Sequence, residues 1–280
     1  MVLKIKSIFN FVKIEHMLFS LPLIYSGVFL ASEKFPDLYL LLLIFIGAGG
    51  ARTAALTLNR IIDKEIDKRN PRTANRELPS KRMTYPEAIL VLIGGLILYF
   101  ASASLISSFC LKLSLLPLII FTIYPYMKRF TSLAHFGVGL GLAMAPLGGW
   151  FAVKGSFEGI LPGVLLSLFT LCWVTGFDII YSTLDELFDR EECLWSFASK
   201  YGKVNALKIS ALLHFAAFGI LVLLFFVYLR AFAAFPFLLL SGYLLFLEQK
   251  KANDVEMAFF KINAILGFVV LGMVMTGVWF

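Results

Sequence analysis

Charge, cysteine and histidine are all scarce in this chain. Only 15% of its 280 residues are Asp, Glu, Lys or Arg, against 60% apolar residues. That balance excludes an ordinary soluble domain. Cys110, Cys172 and Cys193 are scattered without metal or redox spacing. They read as small apolar fillers, and no disulfide is expected. No Pro-, Gly- or Ser-rich stretch is long enough to divide the chain, so a single domain over residues 1–280 is expected. Nor do the basic residues Lys4, Lys6 and Lys13 precede a short apolar core with a small-residue cleavage site, so the first apolar segment is expected to stay in place.

The apolar residues come in blocks near the ~20 residues that cross a bilayer. Nine spans can be drawn, roughly 15–32, 39–61, 88–107, 110–127, 133–153, 160–180, 207–228, 231–248 and 258–280. The expected fold is an all-α polytopic membrane bundle around a central cavity. With the N-terminus in the cytoplasm, 20 Lys and Arg residues fall on that side and 4 (Lys34, Lys112, Lys154 and Arg230) outside, with Arg52 inside a span. This asymmetry accounts for the net charge of +7 as membrane topology rather than nucleic-acid binding. Small residues cluster in the second span (Gly47 to Ala51) and the fifth (Gly137, Gly139, Gly141), where close helix packing is expected. Thr84-Tyr85-Pro86-Glu87 has the pattern of a capped helix start.

Two acidic stretches interrupt this apolar pattern. Asn59, Asp63 and Asp67 follow at steps of four, which on a helix stacks their oxygens along one face. Asp178, Tyr181, Asp185 and Asp189 end a second apolar run on the same, cytoplasmic, side. A carboxylate beside lipid is costly and is retained for a partner or a reaction. Carboxylates facing one another need a cation between them, and hard oxygen donors with open positions suit Mg²⁺. Basic residues stand nearby: Lys128 and Arg129 end the fourth span, and Arg72 and Arg76 lie in the polar loop. Tyr124 precedes Lys128 by one helical turn, and Tyr181 precedes Asp185 likewise. Acid, magnesium and guanidinium together describe a diphosphate site. At a membrane it points to a lipid diphosphate that ionises to an allylic cation.

The residues also resemble a known family. Asn59-x3-Asp63-x3-Asp67, followed by Asn70-Pro-Arg72-Thr-Ala-Asn-Arg76-x2-Pro79, is similar to the first signature of the UbiA superfamily of intramembrane prenyltransferases. Asp178-x2-Tyr181-x3-Asp185-x3-Asp189 resembles its second, and Tyr124-Pro-x2-Lys128-Arg129 a third. Lys13-Ile-Glu15-His16 and Asn75-Arg76-Glu77-Leu78-Pro79 resemble the 4-hydroxybenzoate polyprenyltransferase branch. The resemblance implies a nine-helix bundle with an internal cavity and Mg²⁺-dependent transfer of a polyprenyl group from its diphosphate to a small aromatic acid. It implies that Asn59, Asp63, Asp67, Asp185 and Asp189 hold Mg²⁺-diphosphate, assisted by Arg72, Tyr124, Lys128 and Tyr181. Many relatives have Gly where Cys193 stands, which puts the shape of that loop in question. A membrane protein of ubiquinone or menaquinone synthesis follows, with its site facing the cytoplasm and no nucleic-acid partner.

Several positions admit two readings. Asp178, deepest in its apolar run, is a base or orienting group, or else a hydrogen-bonded structural residue. Arg52 suits the acceptor carboxylate or an internal salt bridge; Arg129 suits that carboxylate or the diphosphate. His214 reads as structural, and His16 and His135 as local caps. The basic loop around Arg69 also suits anionic head groups. A naphthoate acceptor keeps the chemistry. A transporter would instead place its charges near the midplane at broken helices.

The charge asymmetry is tested by cysteine labelling in a variant lacking native thiols. Ser80→Cys is expected to react from the cytoplasmic face and Ser156→Cys from the outer one; labelling of Ser80→Cys only from outside overturns the topology.

Overall fold

The computed structural model describes residues 11–13, 17–255 and 257–280; Glu15 and His16 of the opening motif lie outside them. Among the described residues every regular element is a helix. α1 (Met17–Ala31) leads to α2 (Leu38–Ile62) and the short α3 (Lys64–Arg69). After a polar loop come α4 (Tyr85–Ile106), α5 (Ser108–Leu113), α6 (Leu115–Met127), α7 (Ala134–Lys154) and α8 (Leu161–Ser182). Short helices α9 (Glu186–Glu191) and α10 (Phe197–Tyr201) precede α11 (Lys203–Leu224), α12 (Phe235–Lys250) and α13 (Asn263–Trp279). A π turn, Phe225–Leu229, prolongs α11, and another, Met257–Ile262, leads into α13.

Among the described residues seven runs are long and apolar enough to cross a membrane, and they fall at seven of the nine expected spans. The helices at the first and last expected spans, α1 and α13, are apolar but shorter. The fourth is interrupted at Ser114, where α5 gives way to α6. The stretch between the sixth and seventh expected spans is largely helical, folding into α9, α10 and the start of α11. The Thr84 signal is realised: the Glu87 carboxylate accepts from the Thr84 N–H at 2.8 Å, and the Thr84 hydroxyl accepts from the Glu87 N–H.

The small residues serve two purposes, only one of which was expected. A Cβ on Gly50 would lie 2.6 Å from the Gly95 carbonyl and the Tyr99 nitrogen, so glycine permits the close α2–α4 crossing. Gly139 does the same for α7 against α8, where a Cβ would meet the Thr175 hydroxyl at 2.2 Å. Gly47, Ala48 and Ala51 of α2, with Gly141, Ala145 and Gly148 of α7, instead line a cavity of about 460 Å³. Short side chains leave room as readily as they let helices touch.

α8 packs on α7 and α11, and Phe169, Trp173 and Phe177 enter the main core from it. A polar network ties this core together. The Trp173 indole donates to Asn263 Oδ1 at 2.7 Å, and the Asn263 amide donates to Glu248 Oε1 at 2.9 Å. His214, expected to be structural, lies beside it, with Nε2 3.2 Å from the Trp173 carbonyl and Nδ1 2.8 Å from the Gln249 amide. α8, α11, α12 and α13 are thereby fixed in register.

Removing the Asn263 side chain leaves a buried donor and a buried acceptor without partners, each costing about 1–3 kcal/mol. Asn263→Ala is expected to lower the thermal unfolding temperature in detergent by several degrees, whereas Ser241→Ala, which loses a bond within one helix, changes it little. Equal shifts in the two variants would show that the network contributes nothing particular.

Candidate functional site

The first acidic motif does not lie on one unbroken helix. α2 ends at Ile62, and Asp63 is the single joint between α2 and α3. The ladder still runs through it: the Asp63 N–H donates to the Asn59 carbonyl at 2.9 Å, and the Asp67 N–H to the Asp63 carbonyl at 2.8 Å. Asn59, Asp63 and Asp67 therefore keep their common line into one polar pocket of about 210 Å³. The Asn59 amide donates to Asp63 Oδ2 at 3.1 Å, and Lys128 Nζ donates to the same oxygen at 2.7 Å. Burial pushes the Asp63 carboxyl above its ordinary pKa, against the opposing pull of Lys128. Arg76 donates to both oxygens of Asp67, at 2.9 and 2.8 Å.

The second motif is bent more sharply. Asp178 and Tyr181 belong to α8, Asp185 closes a 3₁₀ turn (Thr183–Asp185), and Asp189 lies on α9. The bend keeps all four in the pocket with the first motif. The polar loop joins the two halves. Asn70 donates to Asp185 Oδ1 at 2.8 Å. Arg72 grips both Asp185 oxygens, gives a 2.6 Å bond to the Tyr181 hydroxyl, and lies over the Tyr181 ring. Burial disfavours the Arg72 charge, but the bonds to Asp185 and Tyr181 outweigh it and hold its pKa above the ordinary arginine value. The loop is anchored from beneath by Leu78 and Met83, packed with Phe11, Val12 and Ala88. A buried 2.7 Å ion pair from Arg60 to Glu77 adds to that hold.

Ten of the twelve expected site residues thus line one pocket: Asn59, Asp63, Asp67, Arg72, Tyr124, Lys128, Asp178, Tyr181, Asp185 and Asp189. The two acceptor candidates fall elsewhere. Arg52 lines the apolar cavity. Arg129, at the exposed rim, donates to the carbonyls of Pro125 and Ile62 at 2.8 and 2.9 Å and stands 3.4 Å from Asp63 Oδ1. Neither cavity is lined by it; its guanidinium fastens the end of α6 to the end of α2. His135, read as a local cap, instead lies in the polar pocket with Nδ1 2.7 Å from Asp178 Oδ2. Trp195 and Ser196 also line the pocket, brought there as the Trp195 N–H donates to the Lys128 carbonyl at 2.7 Å. Their positions depend on contacts across some 60 residues, for which neither spacing nor periodicity gives a signal.

Hard oxygen donors surround the pocket, and Asp63 Oδ1, fully buried, accepts no hydrogen bond. An oxygen without a hydrogen bond, met by the Arg129 guanidinium only at 3.4 Å and standing near further carboxylates, fits a divalent cation. Among the described residues the acidic groups are not drawn into a ready-made metal cluster. Lys128, Arg76 and Arg72 each hold one of them.

The polar pocket and the apolar cavity share three walls. On α2 the lining passes from Ala51, Arg52 and Ala55 to Asn59; on α6 from Phe121 to Tyr124; on α7 from Leu142 and Gly141 to Val138. Each step is about one helical turn, so the two spaces adjoin end to end.

Comparison with known proteins follows the same pattern. The UbiA prenyltransferase family profile matches residues 20–265. A Serratia proteamaculans protein named 4-hydroxybenzoate octaprenyltransferase is 30% identical over 226 residues, covering 80% of this chain and 76% of that one. A Colwellia psychrerythraea protein of the same name is 34% identical over 166 residues, covering 58% and 55%. The apo structure of a UbiA homologue from Aeropyrum pernix superposes with a TM-score of 0.86 at 34% identity, covering 92% of this chain and 96% of that one. A homologue from Archaeoglobus fulgidus, bound to DMAPP and Mg²⁺, shares the fold at a TM-score of 0.65 and 17% identity, covering 95% and 99%.

Because Arg72 and Asn70 hold the loop to Asp185, Arg72→Ala is expected to speed amide hydrogen exchange over residues 70–83 without loosening α2 or α8. Unchanged exchange in the loop would show that the packing of Leu78 and Met83 alone fixes it.

Proposed function

The chain belongs to the UbiA prenyltransferase family, and from that premise we propose that it moves a polyprenyl group from polyprenyl diphosphate to a small aromatic acid, foremost 4-hydroxybenzoate. The observation that carries this reading is that a polar pocket lined by aspartates, arginines and a lysine adjoins an apolar cavity along the same three helices. That shape suits a substrate with a diphosphate head and a hydrocarbon tail. The names of the curated relatives favour a benzoate over a naphthoate acceptor. Such a step belongs to the making of a ubiquinone- or menaquinone-type quinone, on the cytoplasmic side of the inner membrane, within a single domain.

Asn59, Asp63, Asp67, Asp185 and Asp189 are the residues that would hold Mg²⁺. Bound there, magnesium supplies positive charge that neutralises the leaving diphosphate. Lys128, Arg72 and Arg76 supply further positive charge for diphosphate oxygens. The hydroxyls of Tyr124 and Tyr181 face the same space and orient the head group. The pocket walls exclude water from the allylic cation left behind, and the ring carbon of the acceptor attacks it. Arg52, set among apolar residues, offers the acceptor carboxylate a two-point partner that offsets its desolvation.

Two predictions follow from these roles. Purified protein is assayed with Mg²⁺, polyprenyl diphosphates and a panel of aromatic acids, and products are identified by mass. Asp63→Ala and Asp185→Ala are each expected to lose at least ~100-fold in turnover, equivalent to about 2.7 kcal/mol of transition-state stabilisation. Normal turnover in both folded variants removes the metal role. Arg52→Lys is expected to raise the KM for the aromatic acid while leaving that for prenyl diphosphate nearly unchanged. If Arg129→Lys does so instead, the carboxylate is held at the rim.

A further inference from the structure

Asp178 differs from three of the four other carboxylates of the pocket. Asp63, Asp67 and Asp185 are each held by a lysine or arginine. Among the described residues the partner of Asp178 is His135, at 2.7 Å. The tautomer follows from the second ring nitrogen: Nε2 accepts from the Phe197 N–H at 3.4 Å, so Nδ1 carries the proton and donates to Asp178 Oδ2. Oδ1 is left without a hydrogen bond among the described residues, on a half-buried side chain that lines the pocket.

The depth of Asp178 sets it apart as well. It lies within α8, a full turn before that helix ends at Ser182, whereas Asp185 lies beyond the end in the 3₁₀ turn, so Asp178 is the deeper of the two. Arg52 precedes Asn59 by seven residues on α2, and so lies deep as well. Tyr124, between these helices, is within electrostatic reach of both Arg52 and Asp178. In the transfer reaction proposed above, this is the level that the acceptor ring would occupy if Arg52 takes its carboxylate.

We propose that Asp178 Oδ1 takes the proton released from the acceptor ring, and that His135 is the positioning residue that aims it. This rests on the transfer reaction proposed above. In the step, the carbon–carbon bond forms first from a ring electron pair. The ring carbon–hydrogen bond then breaks, its electrons restore the aromatic sextet, and the proton passes to Oδ1. The departed diphosphate is the competing acceptor, and its oxygens would lie among Lys128, Arg72 and Arg76 at the other side of the pocket's acids. With Oδ2 tied to His135, the free oxygen cannot rotate away toward Lys128 or the arginines.

The test uses 4-hydroxybenzoate deuterated at both ring positions beside the hydroxyl, given to the full-length enzyme with Mg²⁺ and a polyprenyl diphosphate. In the wild type, ionisation is expected to limit the rate, so that light and heavy acceptors react alike. Asp178→Asn is expected to lower kcat on the order of 10²-fold or more and to make the heavy acceptor measurably slower than the light one. His135→Ala is expected to do both to a smaller degree. His135→Gln is expected to restore much of the wild-type behaviour, since its amide donates to Asp178 and accepts from Phe197. KM for prenyl diphosphate should stay within a few-fold throughout. If Asp178→Asn or His135→Ala slows turnover with no isotope effect, the pair is structural and the proposal fails; so it does if turnover is unchanged. If the Asp178→Asn product is too scarce to measure, the His135 variants decide alone. Should the wild type transfer no prenyl group to any aromatic acid, the functional reading itself is at fault.

Discussion

Several carboxylates converge on one small space at the end of a membrane bundle, and like charges there repel strongly as water is excluded. The rest of the structure answers that constraint. Each of the three most closely paired acids takes its cation from a different part of the chain: Asp63 from the end of α6, and Asp67 and Asp185 from two points of the polar loop. Charge compensation is thus also tertiary structure. Arg72 reaches across more than a hundred residues to Asp185, so the loop that looks most mobile by composition is held between the two halves of the site. Removing any one acid therefore frees a cation as well, and its effects extend to the loop.

The same demand shapes the helices. A straight continuation of α8 would carry Asp189 along the axis; the 3₁₀ turn at Thr183–Asp185 and the short α9 fold it back to the pocket. α2 is treated more gently, with one joint at Asp63 across which the hydrogen bonds persist. Below this level the walls change character within a turn. The glycines and alanines of α2 and α7 that do not face a neighbouring helix leave the apolar cavity open. One helix surface therefore serves both adhesion and emptiness, according to what stands opposite.

Much of this was legible from the residues. Steps of four between polar positions placed Asn59, Asp63 and Asp67 together, and a second such series marked Asp178 to Asp189, because helical periodicity is local. The spans followed from hydrophobicity, and the start of α4 from Thr84 and Glu87. What stayed hidden depends on tertiary approach. His135 carries no spacing signal, yet it meets Asp178 across 43 residues. Arg129 suited the acceptor carboxylate or the diphosphate by its place near the acidic helix ends, but the turn after α6 aims its guanidinium at backbone carbonyls. The small residues of α2 were legible as packing, but which of them would face a void is set by helix rotation, which composition does not encode.

The built-in counter-ions also separate assembly from loading. In many metalloproteins an empty site is a cluster of repelling ligands, and folding waits for the ion. Here Lys128, Arg76 and Arg72 already pair three of the acids, so the repulsion among them is offset by the chain's own cations. Filling the site is then an exchange of partners within a finished scaffold.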